Sequence, residues 1–187
     1  MTAANTRMEM DSHLAVNYCA AVNTRTAADS RAASNPCAAG GLSIESAAAT
    51  DAAELHDIAA RCFSSPWSET TFASILGETG CDIRIARIDG TAVGFCAVRA
   101  ASDEGELLDI AVLSEHRRCG IGAALLDAGL ELLRSSGAER IFLEVRESNA
   151  AAQLLYASRG FTACGVRKRY YSAPTENAVV MVLGANG

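Results

Sequence analysis

The sequence feature that most restricts the fold is a strand–loop–helix unit in the middle of the chain. Residues 106–112 form an apolar run that predicts a strand, and an amphipathic pattern predicts a helix over 120–136. Between them stands the segment Arg117-Arg118-Cys119-Gly120-Ile121-Gly122. Glycines in such a loop let the main chain approach an anion closely, and a helix N-terminus directs backbone N–H groups toward it. The unit therefore predicts an anion-binding loop between a sheet and a helix.

On the residues alone, an ordinary glycine-containing turn explains this segment equally well. The segment lacks the GxGxxG pattern of dinucleotide sites, because Leu125 occupies the position of the last glycine. It also lacks the Gly-Lys-Ser/Thr of a nucleotide-binding P-loop. The pattern thus leaves the identity of the anion open.

The rest of the chain alternates between strand and helix patterns. Asp89-Gly90 predicts a two-residue hairpin, Asp51 with Glu54 a capping box, and Ser65-Pro66 the start of a second helix that ends at Gly80. Strands are predicted at 42–46, 83–88, 91–99, 106–112, 140–145, 161–166 and 177–183, and further helices at 51–62 and 149–158. This order predicts an α/β layered domain, in which helices pack on a mixed sheet.

The first 41 residues differ from the remainder. They are rich in Ala, Asn, Thr and Ser, they show no persistent period, and they close on Gly40-Gly41. Their three arginines balance three acidic residues, so the formal charge of −6 belongs to residues 42–187. We interpret 1–41 as a disordered or weakly ordered extension and 42–187 as one globular domain. An organelle-targeting peptide is the alternative, and the three acidic residues argue against it.

Composition excludes several classes of protein. A net charge of −6 and a pI near 5.1 argue against direct nucleic-acid binding. The sequence has no apolar run of the roughly 20 residues that span a membrane. Its seven cysteines are scattered and its three histidines dispersed, which argues against a metal site and favours a reducing compartment. We therefore expect a cytoplasmic protein without a metal.

Glu144 stands out because it is a carboxylate within an apolar strand. Burial of such a group is costly unless it is paired or used in chemistry. One interpretation is a structural ion pair with Arg140 or Arg146, and the other is a general base. The residues alone leave both open.

Several motifs together resemble one family. Arg-x-x-Gly-x-Gly after a strand resembles the pyrophosphate loop of the GNAT acyl-CoA-dependent N-acetyltransferases. The motifs Leu143-Glu144-Val145-Arg146, Ser148-Asn149, Leu155-Tyr156 and Gly160-Phe161 resemble the second half of that domain. The segments Ser65-Pro66-Trp67-Ser68-Glu69 and Arg167-Lys168-Arg169-Tyr170-Tyr171 are similar to the ribosomal-protein alanine N-acetyltransferase subgroup. The resemblance covers residues 42–183 and implies a mostly antiparallel sheet of six to seven strands with about four helices.

The resemblance also implies roles for individual residues. Glu144 would be the general base, Tyr156 the general acid that protonates the departing thiolate, and Cys119 would not act as a nucleophile. Asn149 would cap its helix, contact the co-substrate, or do both. Contacts with acetyl-CoA would come from Ile110, Ala111, Val112, Arg117, Arg118, Cys119, Gly120, Ile121, Gly122 and Asn149.

The implied activity is acetylation of a protein N-terminus, as in the alanine of a small-subunit ribosomal protein, and a monomer would suffice. An α-amine costs roughly 3 kcal/mol less than lysine to neutralise at pH 7, which suits a single modest base. A lysine or small-molecule acetyltransferase and a non-catalytic acyl-CoA-binding module are the alternatives.

Trp67, Tyr170 and Tyr171 would contact the peptide. Trp67 could instead be a core residue between the first two helices, and Arg167, Lys168 and Arg169 simply a solvated basic run.

Overall fold

The computed structural model describes residues 41–184. All but the last residue of the predicted extension therefore lies outside the described residues, and its expected disorder stays a prediction. No helix among residues 41–184 is long and apolar enough to cross a membrane.

The domain is a seven-stranded sheet with four α-helices. The sheet order is β1-β2-β3-β4-β5-β7-β6, and every neighbouring pair is antiparallel except β4 with β5. The predicted fold class is confirmed. The elements are β1 Leu42–Ser46, α1 Ala52–Cys62, α2 Glu69–Leu76, β2 Cys81–Ile88, β3 Thr91–Ala101, β4 Glu104–Val112, α3 Ile121–Ser135, β5 Arg140–Arg146, α4 Ala150–Ala157, β6 Thr162–Ser172 and β7 Thr175–Leu183.

The core consists of two apolar clusters, one on each face of the sheet. The first contains side chains of α1 and α2 packed on alternate residues of the central strands, such as Phe95 and Leu108. The second contains side chains of α3 and α4 packed on the intervening residues, such as Leu107 and Leu143. Because side chains alternate along a strand, β3 and β4 supply both clusters and are apolar on both faces.

The parallel strands β4 and β5 pair at one end only. Their register runs from Glu104 opposite Arg140 to Glu106 opposite Phe142, and ends there. On the other side of β4, Val98 pairs with Leu107 and Ala97 with Asp109, so Leu108 is a bulged residue. A bulge bends its strand and increases the local twist. Beyond Glu106 the two strands therefore separate, and a gap opens in the middle of the sheet.

Two predicted helix boundaries were wrong. α2 begins at Glu69, because Ser68 has extended backbone angles and its hydroxyl accepts a hydrogen bond from Thr71 N–H at 3.1 Å. Ser65-Pro66 thus lies in the loop before it. The helix ends at Gly77 rather than Gly80. Gly80 instead precedes β2, where it has a positive φ of 86° and its backbone lies close to Ala100 of β3.

The predicted capping box of Asp51 and Glu54 was also wrong. The Asp51 carboxylate accepts from Ala48 N–H at 2.7 Å, and both acids bind Arg87. The Asp89-Gly90 hairpin is confirmed, since both residues have the positive φ that a two-residue turn of this kind requires.

Candidate active site

The loop between β4 and α3 has the backbone geometry of an anion site. Arg118 and Gly120 have positive φ values of 66° and 81°, and Gly120 is the N-cap of α3. Left-handed residues in a loop of this kind turn successive N–H groups to one side. A Cβ placed on Gly120 would meet no atom within 4 Å, so this side of the loop is open. The loop geometry therefore fits the pyrophosphate that the family resemblance implies.

The two loop arginines have different surroundings. Arg117 donates from Nε to the carbonyl oxygen of Val112 at 2.8 Å, and its Nη2 lies 3.8 Å from the Cys62 sulfur. These contacts anchor the loop to the end of β4. Arg118 is exposed, and is therefore the arginine of the pair whose charge is presented to solvent. The Cys119 thiol lies 3.5 Å from the carbonyl oxygen of Arg117, to which it donates.

The last residues of β4 lie beside the gap in the sheet. Ile110, Ala111 and Val112 are buried, with their side chains divided between the two apolar clusters. Their backbone pairs with β3 on one side, and the register with β5 ends at Glu106 on the other. Two polar groups of this segment have side-chain partners: Ile110 N–H donates to Asp109 Oδ1 at 3.0 Å, and the Val112 carbonyl oxygen accepts from Arg117 Nε at 2.8 Å. An extended amide-containing chain inserted between β4 and β5 would lie along this edge.

Glu144 lies on β5 and is nearly buried. Its side chain is 6% exposed, and Oε1 lies 3.0 Å from the guanidinium of Arg167. Burial raises the pKa of Glu144, and the negative charge of the Glu106 carboxylate raises it further. The positive charge of Arg167 acts in the opposite direction and lowers the pKa. A carboxyl with a raised pKa is a better general base than an exposed one, because its proton affinity is closer to that of the amine.

The ion-pair partner that the sequence suggested for Glu144 was wrong. Arg140 binds Glu104 at 2.7 Å, and Arg146 binds Glu176 at 3.2 Å. The actual partner, Arg167, lies on β6 and reaches Glu144 across β7. Spacing along the chain gave no signal for this pair, since the two residues come together only through the order of the strands.

Tyr156 and Asn149 lie on α4 and at its start. Asn149 caps the helix, with Oδ1 accepting from Ala152 N–H at 3.2 Å, as predicted. Tyr156 is fully buried and its ring centroid is 5.9 Å from that of Phe161. It shares an apolar cluster with Leu143, which is next to Glu144 on β5 and points to the other face. The predicted acid and base therefore flank β5 from opposite faces.

The structure places Trp67 within the core beneath α1 and α2. Its side chain is 8% exposed, and its ring packs edge-on against Phe72 with centroids 5.4 Å apart. Its carbonyl oxygen is 2.8 Å from His56 Nδ1. This arrangement favours the core interpretation of Trp67 over a direct peptide contact.

The two tyrosines at the end of β6 border Glu144. Tyr171 is buried, its hydroxyl donates to the carbonyl oxygen of Glu144 at 3.5 Å, and the Arg146 guanidinium lies 4.0 Å from its ring centroid. Burial raises the pKa of Tyr170 to about 12, and the charge of Glu144 adds to this. Tyr170 and Tyr171 pack edge-on at 5.2 Å. β6 continues through Arg167, Lys168 and Arg169 to Ser172, so the basic run is part of a strand.

Two loops meet above this part of the sheet. Ser64, after α1, donates to the carbonyl oxygen of Ala173 at 3.2 Å, in the turn between β6 and β7. Arg146 donates to the carbonyl oxygens of the same turn, at Ala173 and Pro174. Sequence reasoning missed this role of Arg146, as well as the influence of Glu106 on Glu144. Within residues 41–184 no three His, Cys, Asp or Glu side chains are grouped in a way that could hold a metal.

A sheet that opens between two parallel strands, a loop with the backbone geometry of an anion site before α3 and a buried carboxylate on β5 are the features expected of an acyl-CoA-dependent transferase. The family model described as the acetyltransferase (GNAT) family matches residues 52–161. The chain belongs to this family, and the predicted resemblance is confirmed.

Relatives within the family indicate the subgroup. A "[Ribosomal protein bS18]-alanine N-acetyltransferase" of Escherichia coli K12 is 37% identical over 143 residues, which cover 75% of this chain and 96% of the relative. The crystal structure of the E. coli ribosomal-protein-S18-alanine N-acetyltransferase superposes with a TM-score of 0.71 at 35% identity, covering 76% of this chain and 93% of that one. Ard1 from Thermoplasma volcanium gives a TM-score of 0.70 at 28% identity, covering 76% and 96%.

Proposed function

We propose that this protein transfers the acetyl group of acetyl-CoA to the N-terminal α-amine of a protein, with the N-terminal alanine of a bS18-type ribosomal protein as its substrate. The observation that carries the proposal is the 37% identity over 96% of the length of the E. coli enzyme with that name. Similarity over nearly a whole relative supports a shared activity as well as a shared scaffold. We also propose that the protein acts in the cytoplasm and as a monomer.

The co-substrate supplies a thioester as the acetyl donor, and this chain offers two places to hold it. The open loop at Arg118 and Gly120 presents backbone N–H groups and a positive charge suited to the pyrophosphate. The backbone of Ile110, Ala111 and Val112, at the edge where β4 leaves β5, would lie beside the pantetheine arm. Gly122, Ile121 and Cys119 belong to the same loop and first helical turn.

Glu144 and Tyr156 would perform the two proton transfers. Glu144 accepts a proton from the attacking amine, either directly or through one water molecule. Tyr156 donates a proton to the departing thiolate from the opposite face of β5. No covalent acyl-enzyme is needed, and the Cys119 thiol is directed toward the Arg117 carbonyl oxygen rather than toward Glu144.

The peptide would enter where the two loops joined by Ser64 and Ala173 cover the sheet. Tyr170 and Tyr171 border Glu144 on this side, which supports their predicted contact with the substrate. The net charge of −6 favours the approach of a positively charged N-terminus.

A set of matched peptides tests the proposal. A peptide with a free N-terminal alanine and an internal lysine is compared with the same peptide blocked at its N-terminus, and the acetylated position is located by mass spectrometry. We expect acetylation of the free N-terminus only. Acetylation of lysine in the blocked peptide would contradict the proposal in favour of a lysine acetyltransferase. Binding of acetyl-CoA without transfer to any amine would indicate a non-catalytic module.

A further inference from the structure

We propose that Arg167 is a positioning residue for the general base, whose guanidinium fixes one oxygen of the Glu144 carboxylate and keeps the carboxylate ionised for catalysis. This inference rests on the proposed function in assigning Glu144 as the base. It concerns a residue on β6 that the sequence analysis treated as part of a basic run.

The sheet register explains how the two side chains meet. Glu144 pairs with Val180 on β7, and Arg167 pairs with Ala178 on the other side of the same strand. Val180 and Ala178 are two residues apart and share a face, so Glu144 and Arg167 lie diagonally on one face across β7. Two strand spacings amount to roughly 10 Å, a distance that a long arginine side chain can span. The small side chain of Ala178 leaves the path above β7 open.

The pair fixes the Glu144 carboxylate through one short contact. Oε1 lies 3.0 Å from Arg167 Nη2. A guanidinium at this distance restricts the orientation of the carboxylate and favours its ionised form. The side chain of Glu144 is 6% exposed while that of Arg167 is 47% exposed, so the pair joins a buried carboxylate to a guanidinium that is partly in solvent.

Arg167 is the one cation that acts on Glu144 among the described groups. Burial and the Glu106 carboxylate on β4 favour the protonated carboxyl, and only the charge of Arg167 opposes them. Glu106 is itself bound to Arg99 at 2.6 Å. Arg146, on the same strand as Glu144, is directed to the ring of Tyr171 and to Glu176. Tyr170 and Tyr171 face Glu144 from β6 as neutral hydroxyls.

Arg167 is held in place by more than this ion pair. Its guanidinium carbon lies 5.6 Å from the ring centroid of Tyr170, within cation–π range. Removal of the arginine charge would leave a buried carboxylate beside Glu106 without its counter-ion. The carboxyl would then hold its proton to a higher pH, and a smaller fraction would be available as base at low pH.

The experiment compares kcat/KM for an alanine-terminated peptide across pH in wild type, Arg167→Gln and Arg167→Lys. Arg140→Gln is the matched control, since it removes one positive charge from the far, exposed end of β5. The ratio of variant to wild type is analysed, because titration of the peptide amine cancels in that ratio. We expect the Arg167→Gln ratio to fall about tenfold between pH 8.5 and pH 6. The Arg167→Lys ratio should change less, and the Arg140→Gln ratio should be flat.

A second measurement does not depend on activity. The side-chain carboxyl of Glu144 is titrated by carbon-13 NMR, with Glu144→Gln identifying its signal, and its midpoint should move to higher pH in Arg167→Gln. An unmoved midpoint, or a flat activity ratio in Arg167→Gln, would overturn the proposal. If wild type acetylates no amine while the midpoint still moves, the proposed function fails and the relation between Arg167 and Glu144 stands.

Discussion

Glu144 and Tyr156 approach β5 from opposite faces of the sheet. Tyr156 belongs to the same apolar cluster as Leu143 and Val145, and Glu144, which alternates with them, points the other way. The register of β4 with β5 ends at Phe142, so Glu144 lies on the part of β5 that borders the gap in the sheet. A thioester threaded through that gap would meet a base on one side and an acid on the other.

Glu144→Gln tests the base. We expect kcat/KM to fall by at least about 100-fold, the usual contribution of a positioned general base, while the Kd for acetyl-CoA stays within about twofold. Burial raises the pKa of Glu144, which means that the ionised carboxylate is less favourable in the folded protein than in the unfolded chain. Glu144→Gln should therefore be at least as stable as wild type at pH 7. Kinetics, calorimetric binding of acetyl-CoA and thermal unfolding measure the three quantities. Unchanged kcat/KM would contradict the assignment, and the exposed Glu139→Gln serves as the control.

Tyr156→Phe tests the acid. The change removes only a hydroxyl from a fully buried ring, so the packing against Phe161 is preserved. We expect kcat to fall between about tenfold and 100-fold, as proton donation to the thiolate is lost. Thermal unfolding and acetyl-CoA binding distinguish this from a structural defect, since both should remain near wild type. A variant with wild-type kcat would exclude Tyr156 as the acid.

Gly120→Ala tests the anion loop, and Gly90→Ala is a closely matched control. The two glycines have φ values of 81° and 80°, and a Cβ at either would meet nothing within 4 Å. Each change should therefore cost about 1 to 2 kcal/mol of unfolding free energy through backbone strain alone. Only Gly120→Ala should weaken binding of acetyl-CoA, by about tenfold or more, because the strained loop would redirect its N–H groups. Equal affinities in the two variants would argue against a pyrophosphate site here.

Glu176 gives a stability prediction with a defined pH dependence. Although burial opposes it, hydrogen bonds from Ser148 N–H and Arg146 lower the pKa of Glu176 below its ordinary value of 4.5. A carboxyl of this kind stabilises the fold above pH 4.5 and loses that contribution as pH falls through its folded-state pKa. Glu176→Gln should therefore cost about 1 to 2 kcal/mol at pH 7, and the difference from wild type should shrink below pH 4.5. Urea unfolding at several pH values measures this, and a difference independent of pH would contradict it.

Removal of residues 1–41 tests the predicted extension. The E. coli relative is matched over 96% of its length by 143 residues of this chain, which is close to the length of the predicted domain 42–187. We expect the shortened protein to remain folded and to acetylate the alanine-terminated peptide with kcat/KM within about twofold of the full chain. Loss of soluble protein or of activity would show that the segment contributes to the domain.

Much of the fold could be read from local patterns. The period of the apolar residues identified all seven strands and four helices, because each element must present an apolar face to the core. The predicted helix boundaries were wrong where a side-chain hydrogen bond decided them. At α2, the Ser68 hydroxyl accepts from Thr71 N–H, so the helix begins at Glu69, three residues after Pro66. Helix starts depend on which of several polar residues adopts extended backbone angles, and Ser65 and Ser68 are alike in sequence.

The sequence by itself placed a glycine-containing loop before α3, a carboxylate on β5 and a tyrosine on α4, and its motifs indicated the family, because these depend on residue types at short spacings. Only the tertiary structure decided that Arg167 rather than Arg140 or Arg146 pairs with Glu144, that Arg117 anchors its loop while Arg118 is exposed, and that Trp67 belongs to the core. The physical reason is the order of the strands. β7 lies between β5 and β6, so side chains distant in the chain share one face and set the charge around the base.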